Sequence, residues 1–243
     1  MDNKTNVTKA NDMDLVKRGM NSLQDEGLAL QTDKENRKTL ELKKQATDQK
    51  KSFEKSYNFC LTEIKARAVN GHFVTTGEDI PPIAIELFEI DEDIKSYLDS
   101  IEFWESNIEN PIKIQFLTDF TDDMLLSLYH LATLHFEKKQ YPNCIQIYTF
   151  LNLMNPEIAS FWMGLGLSYE ANDELGAAVE AFEKAMSVQP LKFTPYIGLI
   201  RTSEKLKSFD NITIQLKKAT EIKELEEDAK AALEYLSSLQ KVG

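Results

Sequence analysis

Residues 160–190 constrain the fold of this chain more than any other stretch, because their large and small residues are spaced as in a repeated unit. They read SFWMGLGLSYEANDELGAAVEAFEKAMSVQP. The stretch ends at Pro190, and a second proline, Pro156, lies 34 residues earlier. A fixed period of this length is typical of chains that stack one supersecondary unit on the next.

The pattern is that of the tetratricopeptide repeat (TPR), in which each unit forms two antiparallel helices. The signature positions are filled by Trp162, Leu165, Gly166, Tyr169, Ala178, Phe182, Ala185 and Pro190. Gly166 and Ala178 are small where the two helices are expected to cross closely. The template also fits one period upstream and one downstream, less regularly, so we expect repeats at about 125–158, 159–192 and 193–226. Three repeats are about the minimum for a stable stack.

Helical patterns flank the repeats on both sides. Apolar residues at every third or fourth position predict one amphipathic helix from Ile90 to Ile108 and a capping helix over residues 225–240. Thr121, followed by two aspartates, predicts the start of the first repeat helix. The apolar run from Ile83 to Ile90 fits either a strand or a helix. Together these elements predict an all-α fold, with a TPR solenoid domain over residues 71–243.

The N-terminal region has a different character. The polar composition of residues 1–12 predicts a disordered tail, and residues 13–70 predict a helical extension without proline. Its apolar seams, Val16–Leu30 and Phe53–Ile64, are separated by charged residues, which indicates two seams joined by a charged helix or loop. Asn70-Gly71 is typical of a helix C-terminus, and we expect a loop after it that separates the extension from the repeats.

Charge is distributed unevenly and excludes some classes of partner. Residues 1–70 carry 14 Lys and Arg against 11 Asp and Glu, a net charge of +3, whereas residues 71–128 carry 2 against 14, a net charge of −12. The acidic belt argues against nucleic acid and anionic membranes as partners. No apolar run approaches the ~20 residues of a membrane span. The absence of a secretory signal and the wide separation of Cys60 and Cys144 predict a cytoplasmic protein with free thiols.

No motif for catalysis, cofactor binding or metal binding is recognisable, so we expect neither an enzyme nor a metalloprotein. His130 and His135 are five residues apart, which places them about 140° apart around a helix of 3.6 residues per turn. His135 occupies the tyrosine position of its repeat and is expected to be a packed core histidine. The acidic residues Glu89 and Asp91–Asp93 are expected to be a solvated helix start.

TPR stacks present a concave face lined by the first helix of each repeat. In the general TPR architecture, the positions that point into this groove correspond to Leu126, Tyr129, Thr133, Phe136, Ser160, Met163, Leu167, Glu170, Thr194, Ile197, Arg201 and Glu204. In the first two repeats most of these positions are apolar or aromatic, which suits a groove that accepts an extended apolar segment. Alternatively, Met163 and Leu167 belong to the core and are covered by the N-terminal region.

Residues from about Ile112 to Ile222 resemble the class II type III secretion chaperones of the LcrH/SycD type. The resemblance is carried by IKIQFLTDFTDDMLLSLYHLATLHFEKKQY, by FWMGLGLSYEANDELGAAVEAF and by the Phe-Thr-Pro start of the third repeat. It implies a bacterial cytoplasmic chaperone that binds hydrophobic, pore-forming translocators before export. Tyr129, Phe136 and Tyr141 match aromatic groove positions of the family, whereas Thr133 replaces an aromatic residue.

Other readings remain open. The carboxylate clamp of eukaryotic TPR co-chaperones is excluded, because the matching positions hold Tyr129, Thr133, Gly164, Thr194 and Gly198. A generic TPR scaffold, or a component or effector of a secretion apparatus, would share the same repeats. The N-terminal extension could serve as a dimerisation arm for a homodimer, as a second client-binding element or as a lid on the groove.

Overall fold

The computed structural model describes residues 5–73 and 82–242, and for residues 5–33, 109 and 240–242 it describes the backbone alone. Its α-helices are α1 Thr5–Arg67, α2 Glu92–Leu98, α3 Ile101–Glu109, α4 Asp122–Glu137, α5 Tyr141–Met154, α6 Ala159–Ala171, α7 Leu175–Val188, α8 Thr194–Leu206, α9 Asp210–Ala219 and α10 Glu226–Val242. The pairs α4–α5, α6–α7 and α8–α9 are the three repeats, and α10 packs on α9. The all-α TPR solenoid is therefore confirmed.

The Phe182 ring of the middle repeat packs against two glycines, one in its own repeat and one in the next. A Cβ atom on Gly166 of α6 would lie 2.6 Å from the ring of Phe182 on α7, and a Cβ atom on Gly198 of α8 would lie at the same distance from that ring. The aromatic ring thus occupies the space that side chains would take on both neighbouring helices. This explains why the α6–α7 crossing admits no larger residue than glycine at position 166.

The start of the first repeat is fixed by a helix cap. The Thr121 Oγ1 atom accepts a hydrogen bond of 3.3 Å from the backbone N–H of Met124. Asp122 and Asp123 follow in the first turn, where the positive end of the helix dipole favours carboxylates. The predicted start of this helix is confirmed.

Helix α1 is longer and more continuous than its sequence indicates. It runs unbroken from Thr5 to Arg67, so that the two seams are joined by helix. It includes residues 5–12, which the sequence predicts to be disordered, because no proline or other helix breaker ends it there; residues 1–4 lie outside the described residues. The side chains of the first seam, Val16–Leu30, are also outside the described part.

The second seam of α1 is buried against the first repeat. Phe53 lies 5.5 Å from Trp104 of α3 and 5.9 Å from Phe150 of α5, measured between ring centroids. Cys60 and Ile64 are buried in the same cluster. We call this cluster the N-terminal core. Residues 53–64 therefore share one core with the first repeat, although the sequence places them in a separate extension.

A second cluster, which we call the C-terminal core, is built from α7 to α10. Its buried members are Ala178, Phe182, Met186, Tyr196, Leu199, Ile212, Leu216, Ala219, Leu225, Ala229, Ala232 and Leu236. The last three lie on α10, on the face that the sequence assigns to the capping helix. The predicted capping helix over residues 225–240 thus corresponds to α10 and covers the last repeat.

The Asn70-Gly71 pair forms a hairpin turn and does not cap α1, which corrects the prediction from sequence. Both residues have positive φ angles, 51° and 78°. They connect β1 (Ala68–Val69) to β2 (His72–Phe73), which also pairs with β3 (Ile83–Ala84) in an antiparallel sheet. Two consecutive positive φ angles are the requirement of a type I′ turn, for which Asn-Gly is the preferred sequence.

The apolar stretch after β2 also differs from its prediction. The run that begins at Ile83 contains β3 and then a short 3-10 helix, Ile85–Phe88. The predicted single helix from Ile90 to Ile108 is divided into α2 and α3. Ser100 caps α3 by accepting a hydrogen bond of 3.2 Å from Phe103, and this favourable N-cap explains the interruption. Residues 74–81 of the predicted loop lie outside the described residues.

Candidate peptide-binding groove

Two adjoining pockets lie between the first helices of the repeats. The proximal pocket lies between α4 and α6, and the distal pocket lies between α6 and the start of α8. Tyr129, Ile158 and Ser160 line both pockets and mark where they meet. We call the two pockets together the groove.

The proximal pocket has an apolar wall and an acidic rim. Its volume is about 570 Å³. Leu126 is 43% exposed, and the ring of Tyr129 packs 6.1 Å from that of Phe161. Asp122 and Asp123 line the same pocket from the first turn of α4. An apolar side chain fits this surface, and a basic neighbour would meet the two carboxylates at its edge.

The distal pocket continues the apolar surface into the second repeat. Its volume is about 620 Å³, and it is lined by Met163 and Leu167 of α6 together with Tyr148 of α5. Met163 and Leu167 are half-buried, and Gly164 between them leaves room for the Tyr148 ring. Burial raises the pKa of Tyr148, so its hydroxyl is neutral and adds no charge to the pocket. Lys192 lines the pocket from the loop before α8.

Glu170 and Arg201 form an ion pair that joins α6 to α8. Both Glu170 carboxylate oxygens accept hydrogen bonds from Arg201 Nε, at 2.7 and 2.8 Å, and Lys205 Nζ lies 2.8 Å from Oε1. Burial acts to raise the pKa of Glu170, but the hydrogen bonds from Arg201 and Lys205 outweigh it and hold that pKa below its usual value. Glu170 and Arg201, both predicted to line the groove, are therefore paired with each other.

Of the other predicted groove residues, Ser160 and Thr194 line the pockets, whereas Glu204 and the four residues described next do not. Thr133 donates its hydroxyl to the carbonyl of Tyr129 one turn earlier, at 3.1 Å. Phe136 and Tyr141 pack together at the turn between α4 and α5, with ring centroids 5.3 Å apart. Ile197 is 53% exposed on α8 and lines neither pocket. The structure thus brings Leu126, Tyr129, Met163 and Leu167 together and leaves these four elsewhere.

Among the lining residues that the sequence-based list does not contain, three are large and apolar or aromatic. Ile158 belongs to the loop before α6, Phe161 to the first turn of α6, and Tyr148 to the second helix of the first repeat. The template assigns groove positions to first helices only and therefore misses Ile158 and Tyr148, whereas Phe161 lies on a first helix beside the template position Ser160. Ile158 and Phe161 flank Ala159-Ser160 in the sequence, and this apolar pair is the signal that could have identified both as lining residues.

Helix α1 lies away from the groove. In the described part of the chain it packs on α3 and α5, and none of its side chains from residue 34 to residue 67 lines either pocket. Those residues of the extension do not cover Met163 and Leu167. This part of α1 therefore leaves both pockets uncovered.

Polar residues outside the groove have structural partners. His135 is buried, with Nε2 3.0 Å from Glu63 Oε2 of α1 and Nδ1 2.6 Å from Gln140 Oε1, which confirms a packed histidine. Of the acidic cluster, Glu89 pairs with Lys65 at 2.6 Å, and Asp91 caps α2. Among the helices of the described residues, none has the length and apolar character of a membrane span.

Comparison with known proteins gives matches in structure only. No family model matches the chain, and no curated protein is similar to it in sequence. The CopN–Scc3 complex matches at 17% identity over 74% of this chain and 98% of that chain, with a TM-score of 0.47. The Yersinia enterocolitica type III secretion translocator chaperone SycD matches at 18% identity over 52% and 99%, with a TM-score of 0.44.

A further match is SycD of Yersinia enterocolitica in complex with a peptide of the translocator YopD, at 17% identity over 49% of this chain and 97% of that chain, with a TM-score of 0.42. All three matches are similarities of structure at less than 20% identity.

Proposed function

We propose that this protein is a type III secretion chaperone that holds an extended apolar segment of a hydrophobic translocator in the groove and keeps it soluble and competent for export. The observation that carries the proposal is the pair of adjoining apolar pockets. A chain that lies along both can place one side chain in each, and the shared residues Tyr129 and Ile158 would separate the two.

The chemistry of the lining favours an apolar client over a charged one. Leu126, Tyr129 and Phe161 supply the proximal surface, and Met163 and Leu167 supply the distal one. Methionine is flexible and polarizable, so it adapts to clients of different shape. Aromatic residues add a large contact area with few rotatable bonds.

The type of client and the cellular setting come from the sequence. The motifs shared with class II type III secretion chaperones imply translocators as clients and the bacterial cytoplasm as the place of binding. The belt at residues 71–128, with a net charge of −12, provides the charge that keeps a protein with an open apolar groove in solution.

Substitution in the groove tests this proposal. We expect Met163→Glu to weaken binding of a co-expressed translocator by roughly thirtyfold or more, since a truncated or charged anchor in a desolvated pocket costs about 2 kcal/mol. Ile197→Glu is the matched control, because Ile197 is an exposed apolar residue of α8 outside both pockets. Binding is measured by co-purification and titration, and folding by the melting temperature.

The result separates chaperone from scaffold. If Met163→Glu is folded and captures the translocator as well as Ile197→Glu does, the groove is not the client site. A generic TPR scaffold, which binds folded partners on other surfaces, would then be the better account of the fold.

A further inference from the structure

A second cleft lies between α1 and the helices α5, α6 and α7, separate from the groove. It consists of two adjoining pockets of about 500 and about 380 Å³. Five residues line both of them: Asp48, Gln49, Asn152, Leu153 and Trp162. We call this site the α1 cleft, because α1 contributes Gln45, Asp48, Gln49 and Ser52 to its lining.

Two buried oxygen atoms of the α1 cleft lack a hydrogen bond from the protein. Asn152 is only 4% exposed, and its Nδ2 donates to the carbonyl of Tyr148 at 2.8 Å. That bond fixes the orientation of the amide, yet no protein group donates to Asn152 Oδ1 or to Gln49 Oε1. Buried polar atoms are almost always paired in folded proteins. Two unpaired acceptors at one cleft therefore indicate a ligand that supplies donors.

The charges around the α1 cleft favour a cation. Asp48 lines both of its pockets and Glu180 lines one, and neither forms an ion pair with another residue in the described part of the chain. Lys184 is the one cationic side chain among the lining residues. Asp48 and Glu180 are exposed, and together with the two unpaired amide oxygens they favour a ligand that is rich in hydrogen-bond donors.

The apolar wall of the α1 cleft adds a requirement of shape. The indole of Trp162 is half-buried, and its Nε1 donates to the carbonyl of Pro156 at 2.8 Å, which holds the ring in place. Leu153 and Leu165 lie beside it. A planar cation stacks well on an indole ring, and an aliphatic stem packs against leucine.

We propose that the α1 cleft binds an arginine side chain of a partner protein. A guanidinium group has five donors in one plane, carries a permanent charge and stacks on aromatic rings, whereas an ammonium group presents a compact charge without a stacking face. The donors would serve Asn152, Gln49 and the carboxylates of Asp48 and Glu180. This site is independent of the groove, so a protein bound there could accompany a client held in the groove.

The probe is a capped pentapeptide, acetyl-Gly-Leu-Arg-Leu-Gly-amide, added to the full-length protein while tryptophan fluorescence is recorded. Trp162 lines the α1 cleft, and the second tryptophan, Trp104, is fully buried elsewhere. We expect saturable binding that weakens with added salt. Citrulline in place of arginine keeps the shape and removes the charge, and it should bind at least about tenfold more weakly, a difference of ~1.4 kcal/mol.

Variants locate the binding. Asp48→Asn combined with Glu180→Gln, and separately Asn152→Leu, should each reduce affinity about tenfold or more, while Lys184→Met should increase it. Asn152→Leu removes a buried acceptor that has no partner, but also the hydrogen bond from Nδ2 to the Tyr148 carbonyl, so its melting temperature is measured beside its affinity. Met163→Glu should bind the peptide normally, so failure of the groove proposal and failure of this one are distinguishable.

Several outcomes would overturn the proposal. These are the absence of saturable binding, equal affinity for the arginine and citrulline peptides, or unchanged affinity in folded Asp48→Asn/Glu180→Gln. Equal affinity for free argininamide would assign the cleft to a small cation. A concentration-dependent dimer mass that the same variants abolish would assign it to a second copy of this chain.

Discussion

The N-terminal and C-terminal cores of this protein are built by different rules. The C-terminal core is made from TPR positions and a cap, with Phe182, Leu199 and Leu216 at its centre. The N-terminal core is richer in aromatic rings, and two of them, Phe53 and Trp104, come from helices outside the repeats. The repeat pattern therefore specifies how one repeat packs on the next. It does not specify which helices pack on the first repeat.

Truncation gives the largest test of this comparison. A variant that begins at Gly71 loses the α1 residues of the N-terminal core, and buried residues such as Phe53 and Ile64 contribute about 1.5–3 kcal/mol each. Since total stability is about 5–15 kcal/mol, we expect this variant to unfold or aggregate, although the sequence alone places the extension outside the repeat domain. Circular dichroism and light scattering measure the outcome.

A variant that begins at residue 34 is the matched control, because it keeps every α1 side chain that the structure describes in the N-terminal core. It should melt as the full chain does. A cooperative melting transition for the variant that begins at Gly71 would show that the C-terminal repeats fold without α1 and that the two cores are independent. A change of mass in the control alone would assign the first half of α1 to a dimer contact.

The second prediction concerns the C-terminal core. Gly166→Leu forces a side chain into the Phe182 ring and should lower the free energy of unfolding by about 1–3 kcal/mol or more. Gly176→Leu is the control, because a Cβ atom there would meet nothing within 4 Å. Denaturant titration should show a loss for Gly166→Leu only. Equal stability of the two variants would mean that α7 shifts to accept the new side chain.

The third prediction concerns the ion pair between the second and third repeats. Glu170→Ala leaves Arg201 and Lys205 without their carboxylate, and we expect a loss of about 1–2 kcal/mol, less than for a fully buried pair because both cations are half-exposed. The pKa of Glu170 is lower in the folded state. Its contribution is therefore complete above the unfolded pKa, near pH 4.3, and is lost as the pH falls through the lowered folded pKa.

Unfolding experiments from pH 7 to pH 3 can resolve that effect. The wild-type chain should lose stability over the acidic range more steeply than Glu170→Gln, which has no carboxylate to protonate at this position. Parallel pH profiles for the two proteins would show that the ion pair contributes nothing to stability.

The smallest expected effect lies at the start of the first repeat. Thr121→Ala removes the hydroxyl that caps α4 and should cost about 1 kcal/mol. Thr121→Ser keeps the hydroxyl and serves as the control. The difference in melting temperature between these two variants measures the cap, and identical values would show that α4 is held by packing alone.

The sequence predicts the repeats well because their spacing records local contacts. The 34-residue period, the small residue at Gly166 and the cap at Thr121 each reflect neighbours within about one repeat, and all are present in the structure. The groove follows from the same period in part: Tyr129 and Met163 line it, whereas Phe161 is missed because it lies beside the template position and not on it.

The features that the sequence does not predict depend on contacts between segments that are distant in the chain. The seam Phe53–Ile64 indicates that α1 buries one face, but its spacing carries no information on what that face contacts. Asn70-Gly71 satisfies the requirements of a helix end and of a hairpin turn, and only the partner strand distinguishes them. Glu170 and Arg201 are 31 residues apart, and the template predicts that both point into the groove, whereas in the fold they form an ion pair with each other.

The position of the Phe182 ring also limits how this stack can be re-engineered or can evolve. Repeats of a solenoid are often treated as modules that can be exchanged singly. Here one ring fills the space of a missing side chain both at Gly166, in its own repeat, and at Gly198, in the next. A graft of the middle repeat into another solenoid must therefore include position 198, and substitutions at residues 182 and 198 are expected to covary among relatives of this chain.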